Sequence, residues 1–159
     1  MTNDASLRAH LLTLLDNDNA HLRFDDAVKD FPVELRGKRP AGAPHSPWEL
    51  LEHLRIAQSD ILEFTRDASF VSPVFPAGYW PSSEAPPNDT AWDESVAAFR
   101  KDRQAMIDLL GDESIDLHQR IPHGTGQTVL REILVAADHN AYHLGQLATV
   151  RQILSASLP

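Results

Sequence analysis

Apolar residues recur along this chain at intervals of three and four, a spacing that fits helices, and two stretches interrupt the pattern. Leu7, Leu11, Leu14 and Leu15 share one side of a helix that begins near Ser6. This helix breaks around Asp16–Asn19, and the pattern resumes from His21 through Val28, ending before Phe31-Pro32. Leu50, Leu54, Ala57, Ile61 and Phe64 mark a second helix. Its start is signalled by Ser46-Pro47-Trp48-Glu49: a serine cap, a proline at the first helical position, and a glutamate placed to bond back to the cap. Val96, Phe99, Met106, Leu109 and Leu110 mark a third helix, which opens at Thr90 in a capping box closed by Asp93 and stops at Gly111. A fourth runs from near Thr128 to about Leu154 without proline. No segment alternates in the manner of a half-buried strand.

The interruptions are rich in proline. Pro32, Pro40, Pro44 and Pro47 fall in the first, and Pro73, Pro76, Pro81, Pro86 and Pro87 in the second. Proline lacks an amide donor and clashes with the preceding helical turn, so neither stretch continues a helix. The expected architecture is therefore an all-α four-helix bundle with long proline-rich connections, a single domain over residues 1–159. The second connection carries Phe75, Tyr79 and Trp80. These rings either cover the side of the bundle or form a lid over a cleft mouth.

Charge and composition narrow the function. The formal net charge is -9, which opposes binding to nucleic acid or to an anionic membrane surface. No apolar run approaches the roughly 20 residues of a membrane span, and the first residues do not read as a secretory leader. A cytoplasmic protein is expected. The chain has no cysteine, which removes thiolate metal sites and cysteine nucleophiles.

Its eight histidines hold the chemistry. His139 and His143 are four residues apart, so they point within about 40° of each other and can reach one metal ion. They share a stripe with Glu132, Ala136, Gln146 and Val150, beside an aliphatic arc that includes Leu130, Ile133, Leu134, Ala137, Leu144 and Leu147. Arg131, Asp138, Thr149 and Gln152 form the solvent face. A pair of imidazoles leaves an ion undersupplied, so a third ligand must come from elsewhere. His53 on the second helix is a candidate, with Glu52, Asp60, His45 and His123 as rivals. His10, His21 and His118 read as surface or structural residues. Glu132, Asp60 and Gln146 are available to orient the rings from behind.

At these residues a family likeness enters. His139-Asn140-Ala141-Tyr142-His143-Leu144-Gly145-Gln146-Leu147 resembles the last-helix motif of the DinB-like, damage-inducible four-helix proteins. Trp48-Glu49-Leu50-Leu51-Glu52-His53-Leu54 resembles the family's second helix, whose histidine completes a metal triad. The resemblance implies His53, His139 and His143 as ligands of one divalent ion, nickel or zinc first, iron or manganese next. It also implies a homodimer and, in some related bundles, transfer of a low-molecular-weight thiol to a small electrophile. Asn140 stands where a zinc protease would carry its glutamate, so a peptidase lacks its base. A stress-response metal-binding bundle without catalysis, and a metal-dependent hydrolase, are the competing readings.

Overall fold

The computed structural model describes residues 3–16 and 21–157. Five helices are present among them: α1 (Asn3–Leu15), α2 (Phe24–Val28), α3 (Pro47–Arg66), α4 (Ala91–Gly111) and α5 (Val129–Ala156). No strand occurs among the described residues, and an isolated bridge pairs Arg120 with Thr128. Four long helices and the short α2 make the expected all-α bundle. Residues 17–19 of the expected break lie outside the described residues. Helix α2 begins at Phe24, three residues later than the pattern from His21 suggests.

Local signals at the helix starts succeed in two cases and mislead in one. Ser46 Oγ accepts from the Glu49 amide at 3.2 Å and the Glu49 carboxylate accepts from the Ser46 amide at 2.7 Å, completing the box that opens α3. Thr128 Oγ1 accepts from the Arg131 amide at 3.2 Å and caps α5. The box expected at Thr90 and Asp93 does not form. Thr90 is itself near-helical, and Asn88 Oδ1 takes the amides of Thr90 and Ala91 at 3.0 and 2.9 Å. The threonine hydroxyl donates to Asn88 Oδ1 and Glu94 Oε1 and caps no amide of α4.

Helix α3 is central, packing on α4 along one side and α5 along the other, while α1 lies against α4 and α5. Contacts along α3 step backwards along α5 and its lead-in: His53 meets His143, Gln58 meets Asn140, and Phe64 meets His123. The two helices therefore run antiparallel. One core cluster gathers Trp48, Leu51, Leu54, Trp92, Phe99 and Leu147, and a second gathers Leu15, Leu62, Met106, Leu110, Leu117 and Ile133. Two residues expected on apolar faces, Leu14 and Leu134, are instead exposed, at 38% and 44%. Arg8 is buried instead and donates to the carbonyls of Leu110 and Asp112, closing the C-terminal end of α4.

Between α3, α4 and α5 lies a polar relay. Asn140 Nδ2 donates to Gln58 Oε1 at 2.9 Å, and Gln58 Nε2 donates to the Phe99 carbonyl at 2.8 Å. Both side chains are buried. The proline-rich connections touch each other at the entrance to α3. A Cβ placed on Gly37 would lie 2.4 Å from that of Ala85, so the approach requires glycine there. Ser46 Oγ donates to the Glu84 carbonyl at 2.6 Å, holding the second connection against the cap of α3.

Candidate metal centre

The antiparallel register of α3 and α5 sets His53, near the middle of α3, against two histidines one turn apart on α5. Their Nε2 atoms converge: His53 lies 3.0 Å from His139 and 3.1 Å from His143. One ligand atom from each residue falls within 4.8 Å of the other two, so the group could hold a metal ion. The rivals do not join it. Glu52 is taken by Arg55 and Ser95, and Asp60 by the Tyr79 hydroxyl. His45 stacks on Trp80, and His123 hydrogen-bonds the Phe64 carbonyl. His10, His21 and His118 are exposed.

The outer nitrogens settle the tautomers. His53 Nδ1 lies 2.8 Å from the Tyr79 carbonyl, which only accepts, so in the neutral ring the proton sits on Nδ1 and Nε2 is a bare lone pair. His143 Nδ1 lies 2.7 Å from Gln146 Oε1 and donates to it with the amide oriented so that Gln146 Nε2 donates to the Tyr142 hydroxyl at 3.3 Å. In that orientation His143 Nε2 is bare as well. His139 Nδ1 is buried and has no hydrogen-bond partner. A proton on His139 Nε2 satisfies the contact with His53. The contact between His53 and His143 still faces one lone pair with another.

A cation would satisfy all three. Two imidazoles bound to one zinc at about 2.0–2.1 Å are separated by roughly 3.0–3.4 Å, depending on coordination geometry. The two His53 distances, 3.0 and 3.1 Å, fit that range, and all three ligand atoms lie within 4.8 Å of one another. The protonation states suit it too. Burial, then the neighbouring imidazoles, push the pKa of His139 and His143 down to about 4, and burial lowers that of His53. All three rings are thus neutral at pH 7, as ligands must be.

The second proline-rich connection supplies the wall that the sequence leaves undecided. Trp80 stacks flat on His53, with centroids 3.9 Å apart and planes 1° apart, and His45 stacks on the indole's other face at 3.9 Å. The neighbouring Tyr79 hydroxyl donates to Asp60 Oδ2 at 2.7 Å, tying the same turn to α3. Of the rings in this connection, Trp80 and Tyr79 thus pack on the site, whereas Phe75 remains 83% exposed. Of the residues expected behind the triad, Gln146 acts on His143 directly. Asp60 acts only through Tyr79, and Glu132 pairs with Arg131. Sequence reasoning missed the Tyr79 carbonyl, since a backbone acceptor leaves no signal in residue identity. The Gln58–Asn140 relay was also missed; two amides on apolar helical faces were its only trace.

Beside the triad is a cavity of about 460 Å³, bordered by His53 and His139 at one end. No helix among the described residues is long and apolar enough to cross a membrane. Among models of known families, that of the DinB superfamily matches residues 17–147. No curated protein and no solved structure matches the chain. With that match spanning most of its length, the helical bundle in place and the histidines of α3 and α5 brought together, the chain belongs to the DinB superfamily.

Proposed function

We propose that His53, His139 and His143 hold one divalent transition-metal ion, nickel or zinc first, and that the protein uses it to transfer a low-molecular-weight thiol to a small electrophile. The observation that carries the reading is the convergence of imidazole nitrogens at 3.0 and 3.1 Å, with the outer nitrogens of His53 and His143 held by the Tyr79 carbonyl and the Gln146 amide. An ion bound by three imidazoles keeps a coordination position open, and when present it would lower the pKa of a bound thiol enough to supply a thiolate near neutral pH. The chain contains no cysteine, so the thiol must be a soluble one.

The protein's own residues bind and orient. The Tyr79 carbonyl and the Gln146 amide hold two rings in the tautomer that presents Nε2. Trp80 covers a face of His53 and keeps water from it. The adjacent cavity, wide enough for a small molecule, favours a catalytic site over a closed structural one. Metal analysis of protein purified without a histidine tag tests the first half, with one equivalent of ion expected; a metal-free protein that takes up none rejects it. Assays of the loaded protein with bacillithiol, mycothiol or glutathione against bromobimane or chlorodinitrobenzene test the second half. Turnover no faster than that of His143→Ala in every combination would leave a metal-binding bundle without transferase activity.

A further inference from the structure

Two buried polar atoms at the triad have no hydrogen-bond partner among the described residues, and they belong to consecutive residues of α5: His139 Nδ1 and Asn140 Oδ1. That the second is an oxygen follows from its neighbours. The Phe99 carbonyl only accepts, so the amide of Gln58 turns Nε2 towards it at 2.8 Å and leaves Oε1 facing Asn140. That oxygen needs a donor, so Asn140 presents Nδ2 to it at 2.9 Å and keeps Oδ1 free. Asn140 is only 2% exposed, and a carbonyl oxygen withdrawn from water without a donor is costly.

The histidine has the opposite need. To offer Nε2 as a lone pair, a neutral imidazole carries its proton on Nδ1. His53 and His143 have an oxygen in place for that proton, the Tyr79 carbonyl and the Gln146 amide. His139 alone of the three has none, and its Nδ1 is buried. The Asn140 side chain is nevertheless close enough to act on this ring. Burial, then His143 and His53, lower the pKa of His139, and Asn140 opposes them. The outer torsions of histidine and asparagine are broad, so a small turn of each group brings donor to acceptor.

We infer that Asn140 Oδ1 accepts the Nδ1 proton of His139 when Nε2 of that ring is committed to a metal ion, which makes Asn140 the positioning residue of the third imidazole. This rests on the metal-binding half of the function proposed above. One hydrogen bond then satisfies two orphaned atoms, and each ring of the triad has its own acceptor. Asn140 also joins α5 to Gln58, and Gln58 to the Phe99 carbonyl, so the setting of His139 is tied to α3 and α4.

The test uses the full chain, treated with chelator and then titrated with zinc against a chromophoric competitor. Asn140→Leu and Asn140→Asp both break the bond to Gln58, and both should lower the stability of the chelator-treated protein. Their zinc affinities should part. Asn140→Leu is expected to weaken zinc about 10–100-fold, the range for groups behind a ligand, whereas Asn140→Asp keeps an acceptor for His139 and should stay within about threefold of the parent or bind more tightly. Equal weakening by the two variants, or none by either, would assign the amide to the fold alone and overturn the inference. Magnetic resonance of the zinc-loaded wild-type chain decides even if a variant fails to fold. The Nδ1 proton of His139 should give a slowly exchanging signal, and the side-chain carbonyl carbon of Asn140 should shift on loading. A rapidly exchanging proton or an unmoved carbonyl, with zinc bound, rejects this inference and leaves the metal centre standing. A chain that takes up no zinc rejects the metal centre itself, and the inference with it.

Discussion

Two buried polar clusters bridge α3 and α5 within a short distance of each other, and they are built on opposite principles. In the Gln58–Asn140 relay each amide donor meets an oxygen, ending on the Phe99 carbonyl, and a single acceptor, Asn140 Oδ1, is left over. In the histidine cluster the closest atoms are all imidazole nitrogens, and the central one, His53 Nε2, is a bare lone pair. Complementary donors and acceptors lock helices together without help. Converging lone pairs repel until a cation separates them. The first cluster is thus read as part of the fold and the second as a receptor.

The contrast can be broken most sharply at its second member. Replacing His143 with alanine should lower metal affinity more than about 100-fold, since even the groups behind a ligand are worth 10–100-fold. Metal titration with a chromophoric competitor measures this, and the chelator-treated variant should melt close to the parent. Gln58→Ala should do the reverse. It strands the Asn140 amide in the core and costs about 2–4 kcal/mol, read from denaturant unfolding, with metal stoichiometry unchanged. If that variant lost its metal as well, the two clusters would not be separable.

Smaller effects sharpen the comparison. Gln146→Leu removes the acceptor for His143 Nδ1, and Trp80→Ala uncovers His53; each should weaken metal binding about tenfold while leaving one site per chain. A separate effect concerns acid. His139 and His143 have pKa values near 4 in the fold against an ordinary 6.5, so between these limits the unfolded chain binds more protons than the native one. The metal-free protein should therefore lose stability as pH falls from 6.5 towards about 4 and gain none from these groups above 6.5. Melting temperatures across that window should flatten in His139→Ala.

How far the sequence reaches differs along the molecule. Helices α3, α4 and α5 were legible because their apolar spacing and the Ser46 cap are local properties, written within a few residues. Thr90 misled because its backbone is already helical and its hydroxyl donates to Asn88 and Glu94, while Asn88 takes the amides at the helix start, and residue identity does not foretell that arrangement. The spacing of His139 and His143 placed two imidazoles on one stripe, since an α-helix fixes that angle. The partner on α3 stayed one of several until a family likeness singled out His53.

The sequence by itself therefore determined the helices, the proline-rich breaks between them and the histidine stripe, all consequences of backbone geometry and side-chain sterics over short range. Only the tertiary structure decided that the three imidazoles meet, that Trp80 and the Tyr79 carbonyl grip His53, and that Asp60 and Glu132 border one cavity. Those facts depend on the register between antiparallel helices far apart in the chain. Packing of whole surfaces sets that register, and no short stretch of residues encodes it.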